Sequence, residues 1–225
     1  MTTATHGPLQ VTTYVDAMFQ VNTLLLRADG AAECWVIDPG FPPSAAQVAE
    51  AITRQGLGPV TVVLTHGHVD HLAGVAALRE AVPGLTVSAP RGDAHMLTDA
   101  DANLSAPFGV PIVAGPPDRL MDPGDTLELG GLRFDVRDVS GHSPGGVALY
   151  CAAAGVVIAG DALFAGSIGR TDFPGSSTRR LLSNIRTHLL TLPDETVVYC
   201  GHGPGTTIGT ERDTNPFLQP GGVDL

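Results

Sequence analysis

The sequence contains no lysine, because all twelve of its basic residues are arginines. This absence excludes a P-loop, which needs a lysine for its phosphates, and any catalysis through a lysine Schiff base. Cysteine is also scarce, and the three cysteines are too scattered for a disulfide framework or a Cys-x-x-Cys metal site. We therefore expect the protein to work in a reducing compartment, by default the cytoplasm.

Long apolar runs and excess positive charge are missing as well. No segment approaches the roughly 20 apolar residues that cross a bilayer, and Met1–Gln10 lacks the basic and apolar parts of a targeting segment. The formal net charge of -11 repels phosphate groups. We therefore expect a small-molecule substrate, and neither a nucleic-acid partner nor a membrane partner.

The first half of the sequence predicts strands that are interrupted by two helices. Ser44–Gln55 has apolar residues at helical spacing, with Ser44 as the expected N-cap and Gly56 as the stop. A second helix is predicted from Asp70 to about Val82. The strands, rich in β-branched and apolar residues, are Val11–Val15, Val21–Leu26, Glu33–Ile37, Val60–Leu64 and Leu85–Ser88.

The second half repeats this order after a Pro- and Gly-punctuated region, Arg91–Asp118, which we expect to flank the functional site. A helix is predicted over Thr178–Leu192. The strands are Thr126–Leu129, Leu132–Val139, Val147–Cys151, Val156–Ala159 and Thr196–Cys200. Two sheets packed face to face with helices outside would bury all apolar runs. We therefore predict an α/β fold, a four-layer αββα sandwich, as a single domain over residues 1–225.

Histidine and aspartate are concentrated in one short turn, where His66, His68, Asp70 and His71 lie within six consecutive positions. His66 and His68 stand two positions apart in extended backbone, so their side chains point the same way and can bind one metal ion. Asp70 and His71 start the next helix and point to a neighbouring position. The alternative is that Asp70 only caps that helix and the histidines are surface residues. The density of the cluster favours the metal site.

The His-x-His-x-Asp-His spacing at residues 66–71 resembles the metal-binding signature of the metallo-β-lactamase superfamily. Three later turns, in the order and approximate spacing of that family, strengthen the resemblance. They are Gly141–Gly146, which reads GHSPGG, Gly160–Phe164, which reads GDALF, and Gly201–Pro204, which reads GHGP. The resemblance extends from about Val11 to Phe217 and implies the four-layer fold for nearly the whole chain.

The resemblance implies seven protein ligands for two divalent metal ions, most simply zinc, although iron and manganese accept the same ligand types. His66, His68 and His142 would hold the first ion, Asp70, His71 and His202 the second, and Asp161 would bridge them. The residues expected to act in catalysis are Asp70, His71 and Asp161. Metal ions in such a site lower the pKa of a water to roughly 7, so no side-chain nucleophile is needed.

Two further residues are candidates for supporting roles. Asp38 ends a predicted strand in the sequence Val-Ile-Asp-Pro-Gly, where its carboxylate could orient a ligand turn or could form an ordinary turn. Arg170 follows Asp161 by nine positions, close enough in sequence to contact a substrate carboxylate. The alternative for Arg170 is an ion pair with Asp172 or Asp161.

The segments Gly166–Gly175 and Gly201–Phe217 are similar to those of short, single-domain glyoxalase II-like thioesterases, also called hydroxyacylglutathione hydrolases. This resemblance implies hydrolysis of an anionic thioester such as S-lactoylglutathione. Full-length glyoxalase II enzymes recognise glutathione partly through lysine and a C-terminal helical domain. Because this sequence has no lysine, we expect the hydrolytic centre without assuming glutathione as the substrate.

Other reactions are compatible with the same motifs. A persulfide (sulfur) dioxygenase of this fold would use one iron, for which His66, His142 and Asp161 would suffice. Hydrolysis of another ester, a lactone or a β-lactam would use the same two-metal centre. A metal-binding module without turnover is the non-enzymatic alternative. Metal content, oxygen consumption with a persulfide and turnover of nitrocefin distinguish these hypotheses.

Overall fold

The first sheet contains seven strands that lie side by side in chain order. The computed structural model describes residues 1–219, so the predicted domain end at residue 225 lies outside the described residues. Neighbouring strands are antiparallel from β1 to β4 and parallel from β4 to β7. The strands are β1 Thr2–His6, β2 Leu9–Val15, β3 Asn22–Ala28, β4 Cys34–Ile37, β5 Val60–Val63, β6 Thr86–Pro90 and β7 Arg119–Met121.

The second sheet contains six strands in the order β15-β14-β11-β10-β9-β8, and only the β11–β14 pair is parallel. A separate two-stranded hairpin, β12 with β13, follows β11. The strands are β8 Thr126–Leu129, β9 Leu132–Asp138, β10 Val147–Cys151, β11 Val156–Gly160, β12 Leu163–Phe164, β13 Ser167–Ile168, β14 Val197–Cys200 and β15 Thr206–Thr207. Strands β1, β7, β12, β13 and β15 had no clear apolar pattern and were not predicted.

Alternating side chains of the sheets build three apolar layers. In β4, Trp35 and Ile37 face the layer between the two sheets, whereas Cys34 and Val36 face the helices outside the first sheet. In β11, Ile158 faces the layer between the sheets, and its neighbours face the helices outside the second sheet. The continuous apolar runs in the sequence therefore arise because both faces of each central strand are covered. This arrangement is the predicted four-layer αββα sandwich.

The helices covering the sheets are α1 Ser44–Gln55, α2 Val69–Leu72, α3 Val75–Ala81, α4 Thr178–Asn184 and α5 Ile208–Thr214. Helix α1 ends at Gly56 with φ of 61°, as predicted. Its predicted N-cap is wrong, because Pro43 occupies that position and the Ser44 hydroxyl donates to the Phe41 carbonyl instead. Within residues 1–219, no helix combines the length and apolarity needed to cross a membrane.

The helix predicted from Asp70 to Val82 is interrupted, and this is a correction. Gly74 lies between α2 and α3, and its N–H donates to the Pro39 carbonyl at 2.8 Å rather than to a carbonyl of its own helix. A side chain at Gly74 would collide with the Gly40 carbonyl and Ala45, so only glycine permits this close approach to α1. The helix predicted over Thr178–Leu192 also ends early, because a π-helical turn, Ile185–Leu189, follows α4.

The predicted mixed region, Arg91–Asp118, forms two short 3₁₀ helices, Arg91–Leu97 and Ala106–Phe108, joined by irregular backbone. The buried amide of Asn103 stabilises this irregular segment by donating to the carbonyls of Met96 and Ile112. The Asn103 carbonyl accepts from the Val69 N–H at 3.0 Å. The region therefore packs directly against the start of α2, next to the histidine-rich turn.

Candidate metal centre

Four turns meet at one edge of the sandwich, and each follows a strand. The turn after β5 carries His66 and His68, and the turn between β9 and β10 carries His142. Asp161 follows β11 and His202 follows β14. The Val147 N–H donates to the Thr65 carbonyl and joins the two sheets, and the Gly201 N–H donates to the Gly160 carbonyl within the second sheet. Residues distant in sequence therefore converge because their strands end at the same edge.

The first group of donors consists of three imidazoles. One ring nitrogen each of His66, His68 and His142 lies within 4.8 Å of the other two. The closest pair, His68 Nδ1 and His142 Nε2, is 2.9 Å apart. All three side chains are buried, so water does not compete for these nitrogens in the way it would at an exposed turn. These three residues are the set predicted for the first metal ion.

The second group combines a carboxylate with two imidazoles. Its members are Asp70, His71 and His202, whose donor atoms also lie within 4.8 Å of one another. His71 Nε2 is 3.3 Å from His202 Nε2, and Asp70 Oδ2 is 3.3 Å from the same atom of His202. This is the set predicted for the second ion, and its His202 side chain is 27% exposed whereas His71 is fully buried.

Asp161 lies between the two groups. Its Oδ2 is 3.5 Å from His142 Nε2 of the first group and 3.4 Å from His202 Nε2 of the second, while its Oδ1 is 3.3 Å from His71 Nε2. A side chain at Gly201 would overlap Asp161 Oδ1 and crowd His71, so glycine at this position leaves the carboxylate its space. The position suits the bridging role that was predicted for Asp161.

Hydrogen bonds on the outer sides of the rings fix which imidazole nitrogen faces the centre. His142 Nδ1 donates to the Arg170 carbonyl at 2.8 Å, and His202 Nδ1 donates to the Phe19 carbonyl at 3.0 Å. A carbonyl oxygen can only accept, so the N–H of each neutral ring is at Nδ1 and the lone pair is at Nε2. Metal-binding histidines are oriented in this way in proteins.

Asp38, a candidate for a supporting role, makes hydrogen bonds that reach both groups. Its Oδ2 accepts from His71 Nδ1 at 3.0 Å and from the Thr65 hydroxyl at 2.6 Å, while Oδ1 accepts from the Thr65 N–H. Because the Thr65 hydroxyl donates to Asp38, its oxygen accepts from His66 Nδ1 at 3.1 Å. One buried carboxylate therefore directs Nε2 of His66 and of His71 toward the centre.

The donor set fits a pair of metal ions. His66 Nε2 and Asp161 Oδ1 are buried and have no hydrogen-bond partner among the described residues. Buried polar atoms without partners are costly, and an ion bound between these groups would provide the missing interaction. Imidazole nitrogens with a few carboxylate oxygens are donors suited to zinc, iron or manganese.

The two groups differ electrostatically. Burial, followed by the neighbouring imidazoles, lowers the pKa of His68 to about 3 and that of His66 well below its usual range. Burial also acts on His202, but the hydrogen bonds that its ring donates to Asp161 and Asp70 outweigh it and raise the pKa of His202 to about 10. His66 and His68 are therefore neutral imidazoles that can donate lone pairs, whereas Asp70 and Asp161 favour the positively charged form of His202.

Several residues that hold the site in place were missed by sequence reasoning. The Asp16 carboxylate accepts from the N–H groups of Met18, Phe19 and Val21, which fixes the loop whose Phe19 carbonyl binds His202. The Asn22 amide donates to the carbonyls of Cys200 and Gly203 on either side of His202. Aspartate and asparagine beside a strand end are the only local signal, and they occur in ordinary turns as well.

Asp93 joins the two ligand turns of the first group and was also missed. Its side chain is fully buried, Oδ1 accepts from the Gly145 N–H at 2.6 Å, and Oδ2 accepts from the Gly67 N–H at 3.1 Å. Gly67 lies between His66 and His68, and Gly145 lies three positions after His142. Asp93 therefore ties together the turns that carry all three imidazoles.

Arg170 is paired with an aspartate, which is the alternative considered for it from the sequence. Its guanidinium donates to both carboxylate oxygens of Asp172, at 3.0 and 2.8 Å, and stacks over the Phe173 ring at 4.6 Å. The side chain is 69% exposed at the rim of the site. Its backbone carbonyl, which orients His142, makes the better-defined contribution to the centre.

A cavity of about 690 Å³ opens over both donor groups. Asp70, His142, Asp161 and His202 contribute to its floor, so a substrate in the cavity would reach the metal centre directly. Cys200 adjoins this floor in sequence but points into an apolar layer, and burial raises the pKa of its thiol to about 12. It therefore stays protonated near neutral pH, as expected for a small buried side chain.

Comparisons with known families and sequences agree with this geometry. A family model described as the metallo-beta-lactamase superfamily matches residues 17–202. The chain is 38% identical to a "Probable metallo-hydrolase YqgX" of Bacillus subtilis, over 88% of this chain and 92% of that protein. It is 36% identical to "Hydroxyacylglutathione hydrolase GloC" of Haemophilus influenzae, over 89% of this chain and 93% of that protein.

Solved structures with the same architecture include the BLEG-1 B3 metallo-beta-lactamase, with a TM-score of 0.87 and 37% identity over 93% of this chain and all of that one. TTHA1623 in a di-iron-bound form has a TM-score of 0.79 and 38% identity, over 92% of this chain and all of that one. ETHE1 from Myxococcus xanthus has a TM-score of 0.75 and 26% identity, over 92% of this chain and 84% of that one.

Proposed function

Because this chain belongs to the metallo-beta-lactamase superfamily, whose model matches most of its length, we propose that it is a metal-dependent thioesterase of glyoxalase II type. The observation that carries the proposal is the convergence of all seven predicted donors beside one cavity, which His68, Asp70, His142, Asp161 and His202 line directly. Three imidazoles would hold one ion, two imidazoles with Asp70 would hold another, and Asp161 would bridge them.

When bound, two divalent ions would polarise the thioester carbonyl and lower the pKa of an attacking water. The residues of the chain perform the remaining tasks. Asp38 and the carbonyls of Phe19 and Arg170 keep ring N–H groups on the outside, so Nε2 lone pairs face inward. Asp70, whose carboxylate lines the cavity, can accept the proton that the attacking water releases. No side-chain nucleophile is required.

The relatives support a hydrolase with two metal ions. GloC, which aligns with nearly the whole length of this chain, is named a hydroxyacylglutathione hydrolase. YqgX is named a probable metallo-hydrolase. The di-iron form of TTHA1623 makes iron an alternative to zinc for this chain. A one-iron persulfide dioxygenase would need only His66, His142 and Asp161, so the complete second donor group favours hydrolysis.

Hydrolysis of a β-lactam is the second candidate, and the likeness to BLEG-1, named a B3 metallo-beta-lactamase, favours it. The same metal centre would serve, since an amide carbonyl and a thioester carbonyl both need polarisation and an attacking water. The two candidates differ in the substrate that the cavity accepts.

Metal analysis combined with a substrate panel tests the proposal. Freshly purified protein is expected to contain two equivalents of zinc or iron and to hydrolyse S-lactoylglutathione or other acyl thioesters faster than nitrocefin. Exhaustive chelation should remove more than about 95% of the activity, and added metal should restore it. Thioesterase activity that survives chelation would contradict the proposal. Oxygen consumption with glutathione persulfide and one equivalent of iron would replace it by the dioxygenase.

A further inference from the structure

The wall of the cavity above the metal centre is apolar. On the side of the first donor group, the Phe173 ring lies 5.1 Å from the His68 ring and 5.7 Å from the His142 ring, measured between centroids. On the side of the second group, the Phe164 ring lies 6.1 Å from that of His202. A carbonyl over the centre would therefore have an aromatic ring beside it in either orientation.

Leu104 adds to this wall from an unfavourable backbone conformation. Its φ is 72°, in the left-handed region that favours glycine, and its side chain lines the cavity. The neighbouring Asn103 holds the loop through side-chain and backbone hydrogen bonds to Met96, Ile112 and Val69. Strained residues persist where surrounding contacts fix them, and they cluster at ligand sites. The loop thus holds a large apolar side chain over the centre.

Charged groups contribute little to the cavity outside the metal centre. Apart from the metal-centre residues, Arg170 is the only charged side chain among the described residues that line the cavity. Its guanidinium is already satisfied by both oxygens of Asp172. A substrate with several charges next to its scissile bond would find no free cation on this wall, whereas an apolar group would find three large apolar side chains.

We infer that the thioester hydrolysed at this site has an apolar acyl group, either aromatic or a longer aliphatic chain. The inference rests on the proposed function and refines its substrate class. The small, hydroxylated lactoyl group would leave the contacts with Phe164, Phe173 and Leu104 unused. An apolar acyl group would bury its surface against them, and that burial is the main source of affinity in such cavities.

Two thioethers that cannot be hydrolysed test the inference by binding alone. S-hexylglutathione and S-methylglutathione carry the same peptide and the same charges, and they differ only in the length of the alkyl group. Calorimetry with metal-loaded protein should find S-hexylglutathione bound at least about tenfold more tightly. Equal affinities would overturn the inference. The corresponding kinetic expectation is that kcat/KM for S-hexanoyl exceeds that for S-acetyl thioesters of one thiol by a similar factor.

Leu104→Gly removes part of the apolar wall without disturbing the fold. Glycine suits the positive φ at this position, so the variant should keep the wild-type Tm and two equivalents of metal. The ratio of S-hexylglutathione to S-methylglutathione affinity should fall by about threefold or more. Leu120→Ala, at a partly exposed leucine of β7 outside the cavity, is the control and should leave the ratio unchanged. An unchanged ratio in Leu104→Gly would contradict the assignment of this residue.

The binding test separates the two proposals. If metal-loaded protein hydrolyses no thioester, the proposed function fails, while the affinity ratio still reports whether the cavity selects an apolar group. If thioesters are hydrolysed but the S-hexyl and S-methyl compounds bind equally, the proposed function stands and the inference about the acyl group fails.

Discussion

The two donor groups of the candidate centre are built at the same edge of the sandwich but differ in charge and exposure. His66, His68 and His142 are buried, and burial lowers the pKa of His66 and His68. In the second group, Asp70 lies beside two imidazoles, and His202 is partly exposed. The first group thus offers buried imidazole nitrogens, and the second offers a carboxylate and greater exposure to solvent.

One edge of the sandwich can therefore provide two different metal environments from similar residues. Rigid imidazole donors in a dry pocket bind a metal tightly because they lose little freedom and compete with little water. A partly exposed group with carboxylates can exchange ligands with solvent and is better placed to contact substrate. We therefore expect the first position to retain its metal more strongly than the second.

The largest expected effect is that of Asp161→Ala, because this carboxylate is shared by both groups. Bound metal should fall from two equivalents to fewer than one, and kcat/KM for a thioester should fall by about three orders of magnitude. Elemental analysis and steady-state kinetics measure the two quantities. Two retained equivalents in this variant would refute the bridging assignment.

A matched pair of variants, His68→Ala and His202→Ala, tests whether the two donor groups differ in metal retention. Each should lose about one equivalent of metal as purified. The second equivalent should return in His202→Ala at excess zinc, because water can replace an exposed ligand while Asp70 and His71 remain. It should not return in His68→Ala, whose position is buried. Zinc titration followed by calorimetry tests this, and identical behaviour of the two variants would contradict the asymmetry.

Asp38→Ala should weaken both positions together, because this carboxylate orients His71 directly and His66 through Thr65. Loss of such an outer hydrogen bond typically lowers metal affinity by about 10- to 100-fold. Competition with a chromophoric chelator measures the affinity. Asp29→Ala, at an exposed aspartate, is the control. If the affinity for only one metal ion falls, Asp38 does not orient His66 through the Thr65 hydroxyl.

The smallest effect is expected for Arg170→Ala. The guanidinium is exposed and bound to Asp172, and the carbonyl that orients His142 is unaffected by the substitution. We expect kcat/KM to change by less than about threefold, and equally for anionic and neutral thioesters. A selective rise in KM for the anionic thioester would instead indicate that Arg170 binds the substrate.

Local patterns in the sequence predicted the layers and the donors. Continuous apolar runs such as Val156–Ala159 indicated strands covered on both faces, and the spacing of His66, His68, Asp70 and His71 indicated a metal site. The prediction of the layers succeeds because side-chain alternation depends on the backbone period, which is local. The fold is confirmed, whereas the metal roles of the seven donors and the single-domain extent stay predictions.

The groups that orient the donors, and the residues that form the cavity wall, could be identified only from the tertiary structure. The carbonyls of Phe19 and Arg170 and the carboxylate of Asp93 act through contacts between segments far apart in the chain, and backbone carbonyls carry no sequence signal. The break at Gly74 likewise depends on the approach of the Pro39 carbonyl from another segment. The spacing of residues in the sequence indicated which side chains are candidate metal donors. Packing decided how these donors are oriented, because distances between remote segments are fixed only when the sheets and helices pack together.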